Sequence, residues 1–171
     1  MKNLYVDFDG VIVDSMRVTY DMLDRLGVDR SNFEKMSEFY YNLNWKQILS
    51  LTPIINDSFN CLKKVASINK FNIAILTHVN SLDEAIAKVN YIRKYIKNVT
   101  IIPVPREISK TKMIEAKDAI LIDDYSGNLR EWEEAGGIGV QFSTDLNKNK
   151  GFKVIDRLDK IIDLLWCKFF F

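Results

Sequence analysis

Leu4-Tyr5-Val6-Asp7-Phe8-Asp9-Gly10-Val11 runs an apolar strand straight into two carboxylates and a glycine. Two aspartates one residue apart at a buried strand end repel each other and lose hydration, so something positive has to neutralise them. A divalent cation held by oxygen ligands is the usual solution. Working outward, three further polar signals accompany apolar runs. Ile73-Ala74-Ile75-Leu76 leads to Thr77, and Ala119-Ile120-Leu121-Ile122 leads to Asp123 and Asp124. Just before that last run, Ser109-Lys110-Thr111-Lys112 supplies two ammonium groups. An open α/β sheet binds its ligands at the carboxyl ends of its strands, which is where these acids and the threonine fall.

Between the strands the pattern turns helical. Ser81 followed by Glu84 forms a capping box, after which Leu82, Ala85, Ile86, Val89, Ile92 and Ile96 recur at helical spacing. Val99-Thr100-Ile101-Ile102 reads as a strand closed by Pro103 and Pro105, and residues 128–134 as a short helix stopped by Gly136-Gly137. Residues 138–142 form the next strand, and from Asp156 onward Leu158, Ile161, Ile162 and Leu165 describe a final amphipathic helix. This alternation predicts an α/β fold, a Rossmann-like, mainly parallel sheet with helices on both faces. Residues 15–70 break it, being helical from Met16 to Leu26 and without a strand until Phe71. The expected organisation is a core of residues 1–14 and 71–171, with a small helical cap of residues 15–70 inserted after the first strand. The cap carries Phe39-Tyr40-Tyr41 and Trp45. These aromatics suit either stacking on a flat group such as a nucleobase or the cap's own small core.

In the order Asp-x-Asp, Thr, Lys, Asp-Asp, the sequence resembles the haloacid dehalogenase (HAD) superfamily of phosphotransferases. Asp7-Phe8-Asp9-Gly10-Val11 matches the first motif, Thr77 the second, Lys112 or Lys110 the third and Asp123-Asp124 the fourth. A two-component receiver domain also uses Asp, Thr and Lys, but here the second acidic pair comes last, which sets that reading aside. The resemblance implies a magnesium-dependent phosphatase. Asp7 would attack phosphorus and become an aspartyl phosphate, while Asp9 would protonate the leaving oxygen and later take a proton from water. Thr77 would hold phosphoryl oxygens. Lys112 is preferred as the lysine that neutralises Asp7, because it lies nearer Asp123 in sequence, with Lys110 as the alternative. Mg²⁺ is expected at Asp7, Asp123 and Asp124, together with the backbone carbonyl of Asp9. Asp7 and Asp123 are its principal carboxylates, and Asp124 orients the metal shell or the lysine. Gly10 would let the chain turn sharply and bring backbone N–H groups near the phosphate. His78, Tyr40, Tyr41, Trp45 and Lys110 are candidate substrate contacts.

Within the superfamily, the small cap, the first motif and the segment Ile122-Asp123-Asp124-Tyr125-Ser126-Gly127-Asn128-Leu129 resemble 5'(3')-deoxyribonucleotidases. That implies a nucleoside monophosphate as substrate, a deoxynucleotide in particular. Sugar-phosphate phosphatases and β-phosphoglucomutase-like enzymes share the same core, and substrate choice resides in the cap. The reading from another class is a non-catalytic binding module on the same fold.

Composition bounds these readings. A chain of 171 residues with 47% hydrophobic residues suits one domain with a proper core. A formal net charge of +1 gives no footprint for a nucleic-acid polymer, and Lys148 and Lys150 read as solvated loop charges. Cys61 and Cys167 make no disulfide framework, and with His78 the only histidine there is no zinc ligand set. No signal-like segment precedes Asp7, and no apolar run reaches the ~18 residues that span a bilayer. The expectation is a cytoplasmic protein without membrane contact, monomer or homodimer. The aromatic end, Trp166-Cys167-Lys168-Phe169-Phe170-Phe171, reads as a terminal helix packed on the sheet, with a membrane or partner contact as the alternative.

Overall fold

Each apolar run read as a strand becomes a strand of one sheet. In the computed structural model, which describes residues 1–166, the strands are β1 (Lys2–Val6), β2 (Phe71–Val79), β3 (Thr100–Pro105), β4 (Ile120–Asp123), β5 (Ile138–Phe142) and β6 (Lys153–Ile155). They lie in the order β3-β2-β1-β4-β5-β6 with every pairing parallel. A parallel sheet covered on both faces needs apolar side chains at consecutive positions, which explains the unbroken run Ile120-Leu121-Ile122. Successive residues feed two cores. Leu4, Val6, Ile75, Ile120 and Ile122 enter one. Leu76 and Leu121, with half-buried Tyr5 against them, enter the other.

The connections supply α1 (Ser15–Arg25), α2 (Phe33–Asn42), α3 (Trp45–Leu51), α4 (Ser58–Ser67), α5 (Leu82–Tyr95), α6 (Lys110–Met113), α7 (Ser126–Glu134) and α8 (Ile161–Trp166). Side chains of Asp14, Asn32, Asn44 and Ser81 each accept the N–H three residues on, so α1, α2, α3 and α5 begin where the sequence offers a cap. Helices α1 to α3 form the cover above the strand ends. Helix α4, within the stretch read as one insert, packs instead on β2 and on the 3-10 turn Leu158–Lys160, and its Phe59, Leu62 and Val65 belong to the main core.

Three local readings are corrected, and one short strand, β6, went unread. The strand expected to stop before Pro103 runs on through Pro103 and Pro105, because β3 is an edge strand paired only with β2, where a missing N–H costs no ladder bond. Strand β6 carries too few residues to show a period. The final helix starts later than Asp156, after the 3-10 turn. Helix α5 buries Ile92 and half-buries Ala85 and Val89 as its apolar periodicity predicts, but it turns Leu82 and Ile86 to solvent and buries Glu84, Lys88 and Tyr91. The aromatic end from residue 167 on lies outside the described residues. Among those described, no helix is long and apolar enough to cross a membrane.

Trp132 anchors the second core. It is fully buried, its Nε1–H donates to the Ala119 carbonyl at 3.0 Å, and its ring meets Tyr5 edge-on with centroids 5.4 Å apart. Trp132→Ala is expected to lower unfolding stability by about 3–5 kcal/mol in urea titrations. A loss below about 1 kcal/mol would contradict this packing.

Candidate active site

Strands β1 and β4 are neighbours in register, Val6 opposite Ile122, and the Asp7 N–H extends the ladder by donating to the Ile122 carbonyl at 2.9 Å. The next step along both strands therefore puts Asp7 beside Asp123. Strand β2 flanks β1 on its other side and delivers Thr77. The chain leaves the sheet in opposite directions around β1 and β4, which opens a crevice at this point.

Lys110, the first residue of α6, enters this crevice from the side. Its ammonium is buried and lies 2.8 Å from Asp7 Oδ1 and 2.6 Å from Asp123 Oδ2. Lys112 is exposed two residues on, so the preference for Lys112 is corrected in favour of Lys110. On a single helical turn, positions two apart face different ways, and sequence distance to Asp123 says nothing about which faces inward.

The two acids of the second pair differ. Asp123 accepts from Lys110 and Asn128 Nδ2 at Oδ2, the latter at 2.9 Å, and from the Tyr125 N–H at Oδ1, also at 2.9 Å. Asp124 takes no side-chain donor among the described residues; its carboxylate lies over Gly10, where a Cβ would come within 2.3 Å of its Oδ2. Gly10 has φ +76°, and its N–H donates to the Val13 carbonyl at 2.8 Å. The sharp turn expected at Gly10 is present; its own N–H is taken by the Val13 carbonyl, and the missing side chain also clears space for Asp124.

Electrostatics follow from this geometry. Burial, reinforced by Asp123 and Asp9 and opposed by Lys110, raises the Asp7 carboxyl to about 7. Burial, with Asp123, Asp7 and Asp9 behind it, raises Asp124 to about 8. Lys110 is held above the ordinary lysine value, its desolvation outweighed by Asp123 and Asp7. Five carboxylates, those of Asp7, Asp9, Glu84, Asp123 and Asp124, face two buried ammoniums, those of Lys88 and Lys110. Carboxylate oxygens of Asp7, Asp123 and Asp124 lie within 4.8 Å of one another. The deficit of positive charge and the all-oxygen donor set fit a hard divalent cation.

Asp9 is held from two sides. Ser15 Oγ donates to its Oδ1 at 2.6 Å, and Lys88 Nζ lies 2.5 Å from its Oδ2. Thr77, fully buried, places its hydroxyl 3.3 Å from the same Oδ2. His78 donates Nε2–H to the Ile108 carbonyl at 3.0 Å, leaving Nδ1 as acceptor for Arg106 at 3.4 Å. Burial and nearby Lys110 push its pKa down to about 4, so it is neutral near pH 7.

Above these groups lies a cavity of about 400 Å³. Asp7, Asp9, Asp123 and Asp124 form its floor, Met16, Tyr20, Met36 and Tyr40 one side, and His78, Arg106 and Lys150 the cationic and polar rim. Of the aromatic candidates, Tyr40 lines the cavity. Trp45 also touches it but is nearly buried, its indole covering Lys88 at 5.0 Å, and Tyr41 points to solvent at 63% exposure and is absent from the lining. The expectation for Tyr41 is therefore corrected, and Trp45 is chiefly packing. Sequence reading missed Lys88, and it missed that Arg106 and Lys150, both exposed, line the cavity. The pair Glu84 and Lys88, four apart on a helix, was the available signal for the first, and it looks like any exposed ion pair.

No protein-family model matches this chain, and no curated protein matches it. Solved structures do match in fold. A D,D-heptose 1,7-bisphosphate phosphatase from Burkholderia thailandensis superposes with TM-score 0.60 at 14% identity, covering 97% of this chain and 99% of that one. The D,D-heptose 1,7-bisphosphate phosphatase of B. bronchiseptica, complexed with magnesium and phosphate, gives 0.59 at 11% identity over 96% and 98%. A HAD-superfamily hydrolase, subfamily IA, from Geobacter sulfurreducens gives 0.56 at 16% identity over 96% of each chain. The chain thus has the Rossmann-like fold of HAD-superfamily hydrolases.

Raised carboxyls bind their protons more tightly in the folded chain than in the unfolded one. As pH climbs from about 4 through about 8, folding therefore has to give up protons held by Asp7 and Asp124, and stability falls. The metal-free protein is expected to melt at lower temperature at pH 8 than at pH 5.5. Asp124→Asn should flatten that decline, and magnesium should raise the pH 8 melting temperature of the parent far more than that of the variant. A variant that melts like the parent at both pH values, with and without magnesium, would contradict this balance of charges.

Proposed function

We propose that this protein is a magnesium-dependent phosphomonoester hydrolase that works through an aspartyl phosphate on Asp7, with nucleoside monophosphates as its substrate class. The observation that carries the reading is Asp7 itself: a buried carboxylate tethered through Oδ1 to Lys110, at the floor of a cavity, with a second aspartate two residues on. Phosphate monoesters repel nucleophiles through their own negative oxygens, so hydrolysis needs charge neutralisation and in-line placement above all. Magnesium, when bound, supplies that neutralisation; Asp7 and Asp124, the carboxylates least satisfied by protein donors, suit it best, with the backbone carbonyl of Asp9 as the resemblance implies. Asp123, the third carboxylate of the set, also accepts from Lys110, Asn128 and the Tyr125 N–H and so orients Lys110.

An Asp7 oxygen attacks phosphorus as the bond to the leaving oxygen breaks, and that oxygen takes the proton of Asp9. Asp9 then removes a proton from water, whose oxygen attacks phosphorus and releases Asp7 and inorganic phosphate. Lys110 favours the ionised, attacking form of Asp7 against the burial that raises it. Thr77, expected to hold a phosphoryl oxygen, is instead fully buried off the cavity lining and supports Asp9 through its hydroxyl. Tyr40, with Met16, Tyr20 and Met36, offers a flat apolar wall for a base. A second reading, a sugar phosphate carrying another anion, is favoured by the cationic rim of Arg106 and Lys150.

Hydrolysis of p-nitrophenyl phosphate with magnesium is the direct test. Asp7→Asn is expected to abolish it, and Lys110→Met to cut kcat by more than about a hundredfold, whereas Lys112→Ala stays near the parent. Turnover unaffected by Asp7→Asn would end the proposal. Across a panel of deoxynucleoside monophosphates and sugar phosphates, kcat/KM is expected to favour the nucleotides by at least about tenfold, a gap of about 1.4 kcal/mol. Preference for bisphosphorylated sugars, lost in Arg106→Ala, would favour the second reading.

A further inference from the structure

Lys88 and Glu84 are, among the described residues, the most deeply buried charges that the proposed chemistry leaves without a task. The Lys88 side chain is 1% exposed, as is that of Glu84 four residues earlier. Taking an ammonium out of water is costly unless partners surround it, and a helix holding exposed Leu82 and Ile86 had apolar side chains available for that position. The fold instead turns the lysine inward. There Nζ meets Glu84 Oε1 at 2.7 Å, Asp9 Oδ2 at 2.5 Å, the His78 carbonyl at 2.8 Å and Thr77 Oγ1 at 3.3 Å. Phe8 and Trp45 rings close over it at 5.7 and 5.0 Å. Glu84 uses its other oxygen on the Asn80 N–H and Nδ2, at 2.7 and 2.9 Å, so the pair is tied to the turn after β2.

A lysine needed only to balance Glu84 has no reason to reach Asp9. Asp9 is gripped across its width, with Ser15 on Oδ1 and Lys88 on Oδ2, and the remaining 20% of its side chain opens toward the cavity. Lys88 itself does not line the cavity. We infer that Lys88, backed by Glu84, is a positioning residue that aims the Asp9 carboxyl at the leaving-group oxygen. The inference rests on the proposed phosphatase reading and deepens it. Lys88 keeps its own proton throughout; with Oδ2 taken by the ammonium, the proton that moves is carried on Asp9 Oδ1, beside the Ser15 hydroxyl. It is delivered as the bond from phosphorus to the leaving oxygen breaks, leaving Asp9 as the carboxylate that later takes a proton from water. Trp45, lying on Lys88, makes the cap part of the same support.

A positioning role for the acid has a signature that general loosening lacks. Nitrophenolate leaves readily without a proton, whereas an alkoxide does not, so loss of a well-aimed acid falls on alkyl esters. The experiment measures kcat and KM of the full chain with magnesium on p-nitrophenyl phosphate and on the alkyl monophosphate that the parent turns over fastest. Asp9→Asn, Lys88→Met, their combination and the charge-balanced Glu84→Gln/Lys88→Met variant are compared with the parent. Lys88→Met is expected to lower kcat on the alkyl ester at least about tenfold more than on the aryl ester, with KM within about twofold. Combined with Asp9→Asn it should add little, because both act through one group. If Lys88→Met does not fold, as judged by circular dichroism and thermal melting, the charge-balanced variant carries the same comparison. Equal losses on both esters, or losses that add fully to those of Asp9→Asn, would overturn the inference. Should Asp9→Asn itself spare alkyl and aryl esters alike, the assignment of Asp9 as the acid fails, and the role of Lys88 fails with it.

Discussion

The Lys110 ammonium lodged between Asp7 and Asp123 is the contact on which the arrangement depends. A parallel sheet points the carboxyl ends of neighbouring strands the same way, so acids placed just after β1 and at the end of β4 necessarily meet. In a setting this buried, their mutual repulsion opposes the sheet that brings them together. One lysine at that point relieves part of the repulsion, ties α6 to two strands and leaves the rest of the negative charge for a cation. Removing either partner strands the other charge in the interior, which is the costly outcome for any buried ion pair.

The same logic repeats one layer out. Asp9 is balanced by Lys88, and Lys88 by Glu84, so charge alternates from the cavity floor back into α5. Ser15, the first residue of the first cap helix, donates to Asp9, and Trp45 of the third cap helix roofs Lys88. Helices α1 and α3 are therefore tied to the sheet through these charged groups rather than beside them. A protein built this way gives up stability at its centre, seen in the raised Asp7 and Asp124 carboxyls, for a site already charged for its ligand.

Legibility in the sequence followed the range of the forces involved. Asp7, Asp9, Thr77, Asp123 and Asp124 stand at the ends of apolar runs, and a run plus its terminal residue is a local signal that survives folding unchanged. A mainly parallel sheet followed from those runs and the helices between them, and every observed pairing is parallel. Lys110 against Lys112 was undecidable because the answer depends on how one turn of helix sits on the strands. Helix α5 was legible in its extent, its Ser81 cap and its buried Ile92. Its first two turns misled, since hydrophobic periodicity assumes that apolar residues go inward, and here an ion pair outcompeted Leu82 and Ile86 for the buried face. Arg106 and Lys150 reach the cavity rim from loops distant in sequence, and no spacing rule connects them to it. The Gly10 reading foresaw the tight turn but not its purpose, because the atom it makes room for belongs to Asp124, far along the chain.

Covalent chemistry at Asp7 is the central claim, and trapping the phosphoryl group tests it most directly. The parent protein is mixed with magnesium and a radiolabelled phosphate ester, quenched in acid during turnover, and its peptides are mapped. Label on the peptide that holds Asp7, absent when Asp7 is asparagine, is the expected result. Release of phosphate with no label on the chain, or with label on another residue, would contradict it.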